Sequence, residues 1–165
     1  MTTNSVGAFV RKSVTVNLSQ ERAFALFTEG MATWWPESHH IGDGVPEKMI
    51  VEPRAGGRIY DVYPGGVEVA WAGVREYDPP RRLVVAWQVG VIGDGDDWGV
   101  DPDLSHASTV DVRFIAESAA RTRVELEHRD FDKHARGGEI VRVAVDSPNG
   151  WQTGLDAYAR IANGG

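Results

Sequence analysis

The feature that most constrains the fold is the last apolar stretch of the chain, residues 147–162, with the sequence SPNGWQTGLDAYARIA. Ser147 followed by Pro148 is typical of a helix start, because serine can cap the first turn and proline needs no backbone donor there. Large apolar residues then recur at helical spacing on one face: Trp151, Leu155, Tyr158 and Ile161 or Ala162. A helix of about 16 residues is about 24 Å long and is marginal alone in water, so this face must pack against something else.

The packing partner is predicted to be a β-sheet, because most of segment 48–128 has the pattern of strands. Alternating apolar and polar residues indicate strands, and turn residues such as those at 64–66 separate them. The predicted strands are 10–16, 49–51, 58–63, 67–77, 83–88, 108–116 and 121–128. Since the strands carry one apolar and one polar face, the sheet is predicted to be antiparallel with one face in water.

Two short helices are predicted directly after the first strand. Ser19 suits the N-cap of a helix that ends at 29–30, and residues 31–35 form a further helical turn that Pro36 stops. Segment 139–146 fits a strand and a helix equally well. The order predicts an α+β fold in which a curved six- to seven-stranded antiparallel sheet wraps around a long C-terminal helix and leaves a cavity between them.

The composition argues against several classes of function. Seventeen basic and 24 acidic residues give a formal net charge of −7, which offers no electrostatic footprint for nucleic acid or for an anionic membrane surface. The absence of cysteine excludes disulfides and Cys-ligated zinc. No apolar run approaches the ~20 residues of a membrane span, and the N-terminal sequence lacks the apolar core of a signal peptide. A cytoplasmic location is therefore expected.

Several phrases of the sequence together resemble one protein family. They are FTEGMATWWP (27–36), EPRAGGRIYDV (52–62), GVREYDPPRRLVVAW (73–87), TRVELEHRDF (122–131) and GWQTGLDAYA (150–159). The chain resembles the START/Bet v 1-like (SRPBCC) superfamily, and within it the activator of Hsp90 ATPase homologue 1-like family. The resemblance implies a single domain over residues 1–165, with a helix-grip fold and a hydrophobic pocket. It also implies that most bacterial members bind small molecules, while some relatives, such as aromatic polyketide cyclases, are enzymes.

The six tryptophans are the main candidates for a binding site. Tryptophan combines a large apolar surface with one polar N–H group, so it suits a cavity wall as well as an ordinary core. The predicted ligand-binding residues are Trp34, Trp35, Trp71, Trp87, Trp98, His128, Trp151 and Leu155. The predicted partner is a small lipophilic or aromatic molecule, with no cofactor and no metal, and a homodimer is retained as an alternative to a monomer.

Polar residues on the sheet suggest an alternative in which the pocket is catalytic. His128 falls on the buried face of its strand, where it could exchange protons with a nearby acid such as Asp61 or Glu76, as in a cyclase or dehydratase. A hydrogen-bonded core histidine is the other interpretation. The pair His39-His40 is interpreted as part of a polar loop, because no third ligand stands at a spacing that would suit a metal ion.

Non-catalytic binding is the leading functional prediction. A pocket enzyme is the first alternative, and a co-chaperone-like module that binds another protein is the second. The chain has no GxSxG, HExxH or P-loop motif, so neither a preformed nucleophile nor a nucleotide site is predicted.

The loop 90–107 is predicted to be a mobile lid over the cavity. It is rich in aspartate and glycine, which favour exposure to water, yet it also contains Trp98 and Leu104. We expect its aspartates to face water and these two apolar side chains to turn toward the mouth of the cavity.

Overall fold

The computed structural model describes residues 8–36, 39–40, 44–92 and 97–164, and a seven-stranded antiparallel sheet forms its centre. The strands are β1 Phe9–Val16, β2 Lys48–Val51, β3 Arg58–Tyr63, β4 Val67–Asp78, β5 Arg82–Trp87, β6 Val89–Val91, β7 Trp98–Val100, β8 Ser108–Ser118 and β9 Arg121–Arg129. The order in the large sheet is β1-β9-β8-β5-β4-β3-β2, while β6 and β7 form a separate ribbon. The predicted antiparallel sheet is confirmed.

The large sheet buries its inner face along the central strands, and residues 83–86 of β5 and 108–112 of β8 are buried on both faces. On β9, Thr122, Val124, Leu126 and His128 are buried, while the residues between them are partly or fully exposed. Register shifts interrupt the pairing of β3 with β4, of β4 with β5 and of β8 with β9. Such irregularities bend strands and increase their twist, and here they accompany a concave inner face that the helices cover.

The two predicted short helices follow β1. The first, α1 Gln20–Thr28, begins where the Ser19 side chain accepts a hydrogen bond from the backbone N–H of Arg22 at 3.3 Å. The second, α2 Met31–Trp34, ends just before Pro36. Helix α1 turns Phe24 and Phe27 onto the sheet, and both rings meet Phe114 of β8 edge to face.

The C-terminal segment differs from the single long helix that the sequence predicts. Helix α3 Gly138–Asp146 comes first, and it resolves the ambiguous segment as a helix whose Val141 and Val145 are buried. A wide turn, Pro148–Gln152, separates it from helix α4 Thr153–Ala162. Ser147 does not cap the next helix, because its hydroxyl donates backward to the carbonyl of Ala144 at 2.7 Å.

Helix α4 fastens the C-terminal segment to the rest of the protein. Leu155 and Tyr158 are fully buried, and the Tyr158 hydroxyl donates a hydrogen bond to the carbonyl of Ala23 in α1 at 2.8 Å. The Tyr158 ring also contacts Phe27 and Trp34 edge to face. This helix and the other described helices are all too short or too polar to cross a bilayer.

The predicted lid is more ordered than expected where the structure describes it. Residues 93–96 lie outside the described residues, but β6 and β7 form a ribbon on either side of them. Asp101 accepts hydrogen bonds from the backbone of Asp103 at 2.9 Å and from the His106 ring at 2.8 Å. Leu104 is 52% exposed and lies over Gly73 of β4, so it does not turn toward the cavity as predicted.

Gly150 and Gly154 give a matched test of the helix break. A Cβ on Gly150 would lie 2.2 Å from the carbonyl oxygen of Val145, whereas a Cβ on Gly154 would meet nothing closer than Trp34 at 3.7 Å. We expect Gly150→Ala to lower the free energy of unfolding by at least about 2 kcal/mol through overpacking, as measured by urea denaturation. Gly154→Ala should be neutral or raise it by up to about 1 kcal/mol. Equal stability of the two variants would contradict the break.

Candidate functional site

A cavity of about 500 Å³ lies between the inner face of the sheet and the segment that joins α3 to α4. Tryptophans supply much of its wall: Trp35, Trp71, Trp87, Trp98 and Trp151. Strands β4 and β5 carry Trp71 and Trp87, while Trp151 comes from the wide turn before α4. The sheet and the C-terminal segment therefore line opposite sides of the cavity with aromatic side chains.

Four of these tryptophans touch one another and form a continuous wall. The Trp35 ring centroid lies 5.0 Å from Trp71, 6.4 Å from Trp87 and 5.9 Å from Trp151. Trp87 in turn lies 5.7 Å from Trp71 and 5.4 Å from Trp151. The rings are tilted or edge-on to each other, which is the favoured arrangement of aromatic pairs. Trp98 completes the lining and stays 43% exposed.

Three of the predicted ligand-binding residues lie behind the wall. Trp34 points into the core, where it contacts Phe27 at 4.9 Å and its indole N–H donates to the carbonyl of Leu26. Leu155 is fully buried on the core side of α4. His128 is fully buried on β9. Adjacent tryptophans thus have different surroundings, because Trp34 ends α2 while Trp35 has left the helix and extends toward the sheet.

A polar corner interrupts the aromatic wall at Asp61. This carboxylate on β3 is only 1% exposed. Its Oδ1 accepts from the indole N–H of Trp71 at 3.3 Å, and its Oδ2 accepts from Nδ1 of His40 at 2.8 Å. These two donors satisfy a buried acid that would otherwise be costly among apolar side chains. His40, which the sequence places in a polar loop, therefore belongs to the cavity lining.

The neighbouring His39 connects this corner to the C-terminal segment. Its Nε2 donates to the carbonyl of Asn149 at 2.6 Å, and its own carbonyl accepts from the indole N–H of Trp35 at 2.9 Å. Residues 39–40 thus bridge the sheet at Asp61 and the turn before α4. Among the described residues that line the cavity, the titratable side chains are His39, His40 and Asp61.

His128 lies in a buried chain of hydrogen bonds behind Trp151. The indole N–H of Trp151 can only donate, so Nδ1 of His128 accepts at 3.1 Å, and Nε2 of the neutral ring donates to Ser108 Oγ at 2.8 Å. The Ser108 hydroxyl can then donate to Nε2 of His134 at 2.9 Å. Phe131 stacks on the His128 ring at 4.5 Å. Complete burial, reinforced by nearby His134, keeps the pKa of His128 well below its ordinary value.

The predicted pairing of His128 with an acid is not found. Both oxygens of Asp61 are engaged by Trp71 and His40, and Glu76 is half exposed, 3.6 Å from Arg82. His128 instead holds the indole of Trp151 in place in the cavity wall.

One tryptophan of the wall has an unsatisfied polar atom. The indole nitrogen of Trp87 is buried and has no hydrogen-bond partner among the described residues. Leaving a buried donor unpaired costs about 1–3 kcal/mol.

Sequence comparison identifies the family of the chain. A family model described as activator of Hsp90 ATPase homolog 1-like protein matches residues 17–162. The chain belongs to this family. The membership predicted from the sequence phrases is confirmed, and solved structures of similar chains share the helix-grip fold. No match to the chain was found among curated proteins.

Two solved structures are similar to the chain in sequence as well as in fold. One is an anthrahydroquino-γ-pyrone synthase, Txn09, complexed with SUM; it is 35% identical, with 93% of this chain and 96% of that chain covered and a TM-score of 0.64. The other is the self-sacrificing resistance protein CalC from Micromonospora echinospora; it is 30% identical, with 93% of each chain covered and a TM-score of 0.67. An Aha1 dimer from Colwellia psychrerythraea, 12% identical over 94% of this chain and 96% of that chain with a TM-score of 0.60, shares the fold alone.

The buried state of His128 predicts how stability depends on pH. Below its ordinary pKa of about 6.5, the unfolded chain binds a proton at this histidine, while the folded protein does not because burial lowers the pKa there. The free energy of unfolding should therefore fall as the pH falls, until the folded pKa is reached. His128→Gln can keep both hydrogen bonds without titrating. Between pH 7 and pH 5 we expect it to lose less stability than the unmodified protein, by up to about 2 kcal/mol, in urea denaturation. Parallel pH profiles would contradict a neutral buried His128.

Proposed function

We propose that the protein binds a small, flat, lipophilic aromatic molecule in the tryptophan-lined cavity between the sheet and the C-terminal helices. The observation that carries the proposal is the convergence of five tryptophans, from both sides of the fold, on one cavity of about 500 Å³. A cavity of this volume is in the range of small-molecule sites, and tryptophan faces suit planar rings. The few polar groups at the Asp61 corner would orient the bound molecule.

The name of one similar protein supports this class of ligand. The name of Txn09, an anthrahydroquino-γ-pyrone synthase, describes an oxygenated compound with several fused rings. Such a compound would offer flat faces to the tryptophans and acceptor oxygens to the polar groups. One acceptor could pair with the indole N–H of Trp87, which has no partner among the described residues. We therefore favour an aromatic ligand that carries carbonyl or hydroxyl oxygens.

Catalysis in the same cavity is the second candidate function, and the hydrogen-bonded pair His40–Asp61 favours it. This pair replaces the combination of His128 with Asp61 or Glu76 that the sequence suggested. The similarity to the Colwellia Aha1 protein does not support the co-chaperone alternative, because at 12% identity the two chains share the fold alone. A homodimer and a cytoplasmic location stay predictions from the sequence.

Trp87→Leu tests the binding proposal most directly. Its indole makes no hydrogen bond to a described residue, so the substitution removes aromatic wall without breaking a polar contact. We expect the Kd for the neutral aromatic probe N-phenyl-1-naphthylamine, measured by its fluorescence, to rise at least about tenfold, or about 1.4 kcal/mol. Trp34→Phe, behind the wall, is the matched control and should change stability more than affinity. Equal affinities for the probe in all three proteins would overturn the proposal.

Trp98→Ala tests the exposed side of the cavity. Trp98 lines the cavity yet remains 43% exposed, so it contributes little to the core. We expect the substitution to weaken binding of the same probe several-fold while the free energy of unfolding changes by less than about 0.5 kcal/mol. A loss of stability with unchanged probe affinity would show that Trp98 is a structural residue of the ribbon and not part of the binding site.

A further inference from the structure

We propose that His40 is a catalytic acid–base residue that exchanges a proton with a hydroxyl group of the bound aromatic molecule, and that Asp61 is its positioning residue. The substrate class is a flat, polycyclic aromatic that carries a phenolic or enolic hydroxyl. This inference rests on the proposed binding function and adds a reaction to it.

The Asp61 carboxylate fixes which nitrogen of His40 can react. An ionised carboxylate can only accept, so the 2.8 Å contact places the proton of the neutral His40 ring on Nδ1. Nε2 then carries the lone pair, and it makes no hydrogen bond to any residue in the described part of the chain. The His40 side chain is 10% exposed and lines the cavity. The His40 ring therefore lines the same cavity as the tryptophans, and its basic nitrogen has no competing partner among the described residues.

Trp71 fixes the Asp61 carboxylate in turn. Its indole N–H donates a hydrogen bond to Oδ1 at 3.3 Å, and Oδ2 accepts the hydrogen bond from His40. Both contacts form at a carboxylate that is 1% exposed, so water does not compete for it. A neighbouring carboxylate orients an imidazole and stabilises the imidazolium that forms when it accepts a proton. The corner thus has the two parts that proton transfer needs, a positioned base and a fixed countercharge.

No other charge of the described cavity lining competes with this pair. The remaining titratable side chain there is His39, which uses its Nε2–H to donate to the carbonyl of Asn149. His39 therefore comes from the same segment as His40 but is committed to a backbone contact. The apolar wall around the corner lowers the local dielectric, which strengthens the attraction between Asp61 and a protonated His40.

The chemical step needs no external reagent. His40 Nε2 takes the hydroxyl proton: the O–H bond breaks, an N–H bond forms, and the electron pair stays on oxygen. This oxyanion can add to a conjugated carbon–carbon double bond of the same molecule, so that a C–O bond forms and the π pair moves to the neighbouring carbon. His40 then returns the proton to that carbon. Substrate and product are isomers, which makes an intramolecular ring closure the reaction class that this corner suits.

The hydroxyanthraquinone dye alizarin can test the proton transfer, because its colour changes when its hydroxyl ionises. Quenching of tryptophan fluorescence reports binding, and the absorption of the bound dye reports ionisation independently. We expect the bound dye to show its ionised spectrum at a pH about one unit below that of the free dye, because proton transfer to His40 places an opposite charge beside the oxygen.

Three variants assign the effect to its residues. His40→Gln should bind the dye within a few-fold of the unmodified protein but shift its ionisation above that of the free dye, because an apolar cavity disfavours the anion. His106→Gln is the matched control, because His106 also pairs with an aspartate, Asp101 at 2.8 Å, but does not line the cavity; it should keep the downward shift. In Asp61→Asn, the Trp71 N–H should continue to donate to the side-chain oxygen, so the amide N–H₂ group faces Nδ1 of His40. Nδ1 must then accept a hydrogen bond, which places the ring proton on Nε2. Because Nε2 is then no longer a base, the downward shift should be lost.

The outcomes separate this proposal from the binding function. If the dye quenches no tryptophan fluorescence in the unmodified protein, the binding proposal fails and this one with it. If the dye binds but ionises as it does in free solution, only the role of His40 is overturned. A downward shift that survives in a folded His40→Gln protein, checked by circular dichroism, also overturns it. Should Asp61→Asn not fold, the comparison of His40→Gln with His106→Gln decides the question.

Discussion

The hydrogen bond from the Trp151 indole to buried His128 is the interaction on which the cavity depends. It ties the turn between α3 and α4 to β9, at the place where the C-terminal segment leaves helical geometry. His128 can accept it because burial keeps the ring neutral and because Ser108 takes the proton of the other ring nitrogen. A polar chain inside the core thereby sets the position of an aromatic side chain at its edge. The other polar contact near this place, between Lys12 of β1 and Asp146 of α3 at 3.1 Å, lies closer to solvent and does not involve the aromatic wall.

The sequence predicts the sheet well because alternation is a local property. The strands of the large sheet coincide with stretches of alternating or continuously apolar residues, and the turns that precede β3, β4 and β5 contain glycine or proline. The break at Gly150 is not predictable in this way. Trp151, Leu155 and Tyr158 keep helical spacing past it, so periodicity alone joins the turn to α4. The ambiguous segment 139–146 became a helix because Val141 and Val145, four residues apart, both face the core.

The aromatic wall was predictable from the residue types, but the direction in which each tryptophan side chain points was not. Tryptophan content indicates an aromatic cavity, yet the neighbours Trp34 and Trp35 look alike in the sequence and point to different environments. The His40–Asp61 pair was missed because its two members are 21 residues apart and meet only through the tertiary fold. One local sign was present: Asp61 is a charged residue on the apolar face of β3. A buried charge requires a partner, and His40 and Trp71 supply the partners of Asp61.

The break in the C-terminal segment separates the core-packing residues of α4 from most of the C-terminal residues that line the cavity. Helix α4 carries the deeply buried Leu155 and Tyr158, neither of which lines the cavity, while the turn and the end of α3 supply Ala144, Val145 and Trp151 to its wall. Changes at positions such as Ala144 or Asn149 can therefore reshape the cavity while the packing of α4 is preserved, whereas Gly150 has no room for a side chain. This division gives evolution a short stretch of chain in which the shape of the cavity can diverge without loss of the fold.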